Sequence, residues 1–115
     1  KMHSKERWIA FGSEVQGRIY IDAGASRALL TGGKSLLPIG VVGVEGNFDT
    51  GAVISIVTSS SGKEIGRGIV NYSAKEIEKI MGKKTADIPA ILGYKDYDEV
   101  VHRNNLVFTG GLAGD

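Results

Sequence analysis

Gly33-Lys34-Ser35 is the first place in this chain where residue types and spacing could do chemistry. A glycine lets main-chain amides approach a phosphate, the lysine adds charge, and the hydroxyl could reach a metal ion. A complete phosphate-binding P-loop also needs a glycine where this sequence holds Ala28, and it needs a strand before the loop and a helix after it. Here the order is reversed, with a helix expected before the triplet and a strand after it. Arg27 and Lys34, flanking that helix and its glycine turn beside exposed amides, suit contacts to a nucleic-acid backbone instead. Lys63 and Arg67 lie on a later hairpin. Lys75 and Lys79 are four apart on one helix face with Glu76 and Glu78 nearby, the pattern of a solvated surface.

Other chemistries find little footing. Cysteine is absent, so thiol nucleophiles, thiolate zinc sites and disulfides are excluded. Histidine occurs only at His3 and His102, too few for a metal centre. His102 is expected to bond to backbone at a strand end. No serine sits in a G-x-S-x-G elbow, and Asp96, Asp98 and Glu99 read as a solvated acidic loop. A net charge of +1 gives no general signature of polyanion binding, so any nucleic-acid role needs a local basic patch. No apolar run reaches the roughly 18 residues of a membrane span, and Lys1 to Trp8 does not resemble a signal peptide. Neither a membrane partner nor a cofactor is expected for this chain. Opening on Lys1 fits a piece of a longer protein.

The elements that would position these residues can be read from glycine and from periodicity. Glycine, at 17 of 115 residues, is about twice ordinary usage and has no fixed period, which implies many tight turns between short elements. Residues 1–7 read as a linker end, 8–109 as one domain opened by Trp8, Ile9 and Phe11, and 110–115 as a frayed tail. Gly17 to Ile21 alternates as a strand. Asp22 can cap a helix through Ala25, Ala28 and Leu29 that ends at Gly32-Gly33. Val41 to Val44, Val53 to Val57 and Ile65 to Tyr72 read as strands, the last with Gly66 and Gly68 marking a bulge or close backbone approach. Ser73-Ala74-Lys75-Glu76 is a capping box for a helix through Ile77, Ile80 and Met81 that stops at Gly82. Ala86 to Leu92 reads as a further short helix. Val100 to His102 and Leu106 to Phe108 read as strands around an Arg103-Asn104-Asn105 turn. The sum is a mainly β fold with short helices, a compact barrel of five to six or more short strands with helical caps.

Ile21-Asp22-Ala23-Gly24-Ala25, Gly33-Lys34-Ser35-Leu36-Leu37-Pro38-Ile39-Gly40-Val41 and Val44-Glu45-Gly46-Asn47-Phe48 together resemble the PUA domain, a small pseudo-barrel found on many RNA-modifying enzymes. Ile91-Leu92-Gly93-Tyr94 and Val101-His102-Arg103-Asn104-Asn105-Leu106 resemble the form that ends glutamate 5-kinases, and Arg7-Trp8-Ile9 resembles the join to their kinase domain. The resemblance implies an accessory, regulatory domain of a homo-oligomeric cytoplasmic enzyme of proline biosynthesis. That enzyme's separate kinase domain would use ATP and magnesium to phosphorylate the γ-carboxylate of L-glutamate. The partner expected first is that kinase domain. The alternative is structured RNA, for which the resemblance implies contacts at Arg27, Gly33, Lys34 and Ser35, with Arg67 as a weaker addition. No catalytic residue of the kinase falls within this chain.

Overall fold

The computed structural model describes residues 4–110; Lys1–His3 of the expected linker, including His3, and residues 111–115 of the expected tail lie outside the described residues. Five strands form one sheet: β1 Gly17–Ile21, β2 Val41–Gly46, β3 Val53–Thr58, β4 Glu64–Ile69 and β5 Leu106–Phe108. Their spatial order is β2-β1-β3-β4-β5. β1 runs parallel to β3, and the other neighbours are antiparallel. A lone bridge between Leu36 and Val101 adds a contact outside these strands. This is the mainly β architecture with short helices expected from the sequence.

The alternation in β1 buries Ile19 and Ile21 and leaves Arg18 exposed. β3 has no such alternation because both of its faces are covered. Ile54 and Ile56 join the main core with Leu29, Leu36, Tyr72, Ile77 and Val101. Val53 on the other face packs with Ile9, Ala10 and Val107 in a second, smaller cluster. A strand buried on both faces reads as a near-continuous β-branched run, which Val53 to Val57 does apart from Ser55. The glycines of β4 match their expected role. A Cβ at Gly68 would lie 2.6 Å from Val101 Cγ1, and one at Gly66 would lie 2.7 Å from the Val107 carbonyl oxygen.

Helix α2, Ala23–Gly32, starts where Asp22 Oδ1 accepts from the Ala25 amide at 2.8 Å. It ends where Gly33 takes a left-handed φ of 60°, a conformation that costs glycine no Cβ clash. Helix α3, Ala74–Ile80, begins with both bonds of the Ser73/Glu76 capping box in place and buries Ile77 and Ile80.

Some elements differ in detail from the expected ones. Ser4–Arg7, within the expected linker end, forms a helical turn, α1, that runs into a wider π-type turn over Trp8–Gly12. That turn buries Ile9 and Ala10, while Trp8 and Phe11 stay exposed at 46% and 64%. The packed face is therefore set by Ile9, not by the two aromatics. β4 ends at Ile69, short of Tyr72, because the Val70 and Asn71 amides turn to the carbonyls of Ala52 and Val100. The second short helix, α4, spans only Ile88–Leu92 after a 3-10 turn at Thr85–Asp87. Val100 to His102 forms no hairpin with β5: Val101 bridges Leu36, while β5 pairs with β4.

Candidate binding cleft and its comparison with known proteins

α2 and the segment after it enclose a cavity of about 460 Å³, open on one side. Its helix wall is made of small residues, Gly24, Ala25 and Ala28, and its opposite wall comes from Leu36, Leu37, Ile39 and Gly40. The wall is fixed by backbone bonds. The Leu36 amide donates to the Val101 carbonyl at 2.9 Å, and the Leu36 carbonyl accepts from the Val100 amide at 2.8 Å. The Ser35 hydroxyl accepts from the Arg103 amide at 2.8 Å. A Cβ on Gly40 would come within 2.5 Å of Ala25 Cβ, so glycine there sets how closely wall and helix approach.

Three charged side chains line this cavity: Lys34, Asp22 and Glu99. Two carboxylates against one ammonium give the lining a negative balance. The surface is mostly apolar, with Leu37 and Ile39 exposed at 41% and 51%. A phosphate group would meet two carboxylates and one lysine here.

The five residues expected to touch RNA are not all brought together. Lys34 and Ser35 line the cavity, although the Ser35 hydroxyl already serves the Arg103 amide. Gly33 is the exposed left-handed cap, and Arg27 is exposed on α2 outside the lining. Arg67 lies on β4 beside a separate depression shared with Arg18, Ser55 and Glu64. There its guanidinium meets Glu64 at 3.2 Å, and Nη1 donates to the Ala10 carbonyl at 3.0 Å.

Glu64 sits at the centre of that second cluster, accepting also from Ser55 Oγ at 2.6 Å and Thr109 Oγ1 at 2.5 Å. Partial burial pushes its pKa up, but the bonds from Ser55 and Thr109 and the Arg67 charge outweigh this and hold it below the ordinary carboxylate value. His102, as expected, bonds to backbone, its Nδ1 accepting from the Asn104 amide at 3.0 Å. Among the described residues no group of three or more His, Asp or Glu side chains could hold a metal ion, and no helix is long and apolar enough to cross a membrane.

Sequence reading missed Asp22 and Glu99 as cavity residues. Asp22 was legible only as a helix cap, and Glu99 only as part of an acidic loop. The Leu36–Val101 bridge places Glu99 beside α2, and no local pattern announces it.

The sequence matches the profile of the PUA domain over residues 17–92. It is 56% identical over 110 residues to the glutamate 5-kinase of Moorella thermoacetica, a match that covers 96% of this chain and 29% of that protein. It is 54% identical over 104 residues to the glutamate 5-kinase of Nitrosomonas eutropha, covering 90% of this chain and 28% of that one. The chain thus spans less than a third of the length of these curated relatives. Among solved structures it is similar to a PUA domain from Aeropyrum pernix K1 in complex with tartrate, with a TM-score of 0.57 and 25% identity over 83% of this chain and 46% of that one. With the profile covering most of the chain, from β1 to the end of α4, and a PUA domain as structural neighbour, the chain belongs to the PUA domain family.

Proposed function

We propose that this chain is the C-terminal accessory domain of a cytoplasmic, homo-oligomeric glutamate 5-kinase, and that it acts through protein contacts with the catalytic part of that enzyme. The catalytic part would transfer the γ-phosphoryl group of ATP, with magnesium, to the γ-carboxylate of L-glutamate in proline biosynthesis. The domain itself contributes no cofactor site. Identity above one half with two glutamate 5-kinases over nearly the whole chain supports the assignment of the parent.

The observation that carries the preference for protein contacts over RNA is the make-up of the α2 cavity. Asp22 and Glu99 share its lining with Lys34, which breaks the continuous positive groove that a phosphate backbone needs. The test compares a full-length glutamate 5-kinase carrying this domain with the same enzyme ending before it. Changed kcat, KM for glutamate, feedback inhibition or subunit assembly is expected. Identical values for all four would overturn the reading. Retarded migration of a structured RNA by this chain, falling linearly in log salt, would favour the RNA alternative instead.

A further inference from the structure

The α2 cavity combines four properties. It is concave, largely apolar, negatively balanced, and held rigid by main-chain bonds on both walls. Neither Glu99 nor Lys34 makes a side-chain hydrogen bond or ion pair among the described residues. Asp22 spends Oδ1 on the Ala25 amide. Its pair of carboxylates is therefore available to a cation brought by a ligand, and the exposed faces of Leu37 and Ile39 to aliphatic side chains.

The geometry points to a protein segment as the occupant: aliphatic side chains packed on Ala28, Leu37 and Ile39, with an arginine or lysine held between Asp22 and Glu99. The source is the remainder of a glutamate 5-kinase chain, so the inference rests on the accessory-domain reading above. Charge complementarity selects the basic residue. The length of the relatives selects the source, since the matched region is only 28–29% of each and most of such a chain lies elsewhere. Tethering in one chain supplies a high effective concentration, so a cavity of this size can be filled without the large interface that free partners need. A second copy docked symmetrically would bring the same acidic lining against itself.

Hydrogen exchange on the full-length enzyme and on this 115-residue chain tests the inference. In the full-length enzyme, residues 22–40 are expected to exchange on the order of tenfold more slowly than in the chain alone. Glu99→Lys in the full-length enzyme is expected to abolish that protection. If Glu99→Lys fails to fold, Glu99→Gln and the cavity-filling Ala28→Phe serve the same purpose. Equal exchange in the two proteins, or protection that survives all of the folded variants, would overturn the inference. So would an RNA stem-loop that protects the same residues of the isolated chain at low salt. Failure here is distinguishable from failure of the functional reading: an uncovered cavity with altered kinetics on truncation defeats only this inference, whereas a covered cavity with unaltered kinetics, inhibition and assembly defeats only the reading.

Discussion

Arg67 on β4 and Ala10 in the N-terminal helical turn are joined by a bond of 3.0 Å from the guanidinium Nη1 to the Ala10 carbonyl. The same guanidinium holds Glu64, which in turn accepts from Ser55 and Thr109. One arginine thus ties the N-terminal turn to three parts of the sheet region. Its side chain is 29% exposed, which suits a structural tie better than a phosphate contact.

Arg67→Ala is expected to destabilise the chain by about 1–3 kcal/mol, because it leaves the Ala10 carbonyl and a part-buried carboxylate without their donor. Urea denaturation measures the loss, and faster exchange at the amides of Ile9 and Ala10 localises it. Arg67→Lys should recover only part, since an ammonium cannot reproduce the planar fork. Unchanged stability, together with lost RNA binding, would return Arg67 to the role of a phosphate contact.

Stability is expected to fall in acid through two carboxylates. Glu64 is depressed as described. Glu76 is raised by partial burial, but the hydroxyl of Tyr94 and the bonds from Ser73 outweigh this and hold it below the ordinary value. A carboxylate depressed in the folded state contributes stability above its unfolded pKa, and that contribution is lost as pH falls through the folded value. Glu64→Gln and Glu76→Gln should each flatten the decline of the unfolding free energy below the ordinary carboxylate range. A slope identical to that of the unaltered chain in both variants would contradict this.

Ser73→Ala removes the acceptor for the Glu76 amide and is expected to cost about 1 kcal/mol, the usual value of an N-cap. Because α3 buries Ile77 and Ile80 in the main core, the loss should appear in the global unfolding transition and not as local fraying alone. Ser73→Asp should restore most of it.

Gly40→Ala places a Cβ 2.5 Å from Ala25 Cβ, and overpacking of this kind costs about 1–3 kcal/mol. A fall in the urea midpoint without a change in slope is the expected result. Gly33→Ala should cost about 1–2 kcal/mol through its left-handed backbone alone, since nothing lies within 4 Å of a Cβ there.

Features whose cause is local were legible in the sequence. Asp22 before an apolar-periodic stretch, Gly33 after it, and Ser73 three before Glu76 each announce a helix boundary, and each stands where expected. The strand core of β1 and β3 follows from its own side chains. What could not be read depends on partners distant in sequence. Trp8 and Ile9 are both large and apolar, and only the fit against Val53 and Val107 decides that Ile9 is buried while Trp8 faces solvent. Glu99 reaches the cavity because Val100 and Val101 are drawn to Leu36, and Arg67 faces Ala10 because the Trp8–Gly12 turn lies across β4. Charge was legible as composition, but its placement was not.

The Leu36–Val101 bridge, with the Arg103 amide bonded to Ser35 Oγ across 68 positions of sequence, also bears on how the chain is made. During synthesis β1, α2 and β2 emerge early, yet Ser35 and Leu36 at one end of the cavity wall lack their hydrogen bonds to Val100, Val101 and Arg103 until those residues have left the ribosome. Closing so long a span also costs chain entropy that a local helix does not pay. A nascent chain halted before Val100 should therefore expose Leu36, which is buried in the complete domain; this is the kind of surface that chaperones engage. Completion of the domain is then a late event on the ribosome, set by its C-terminal end.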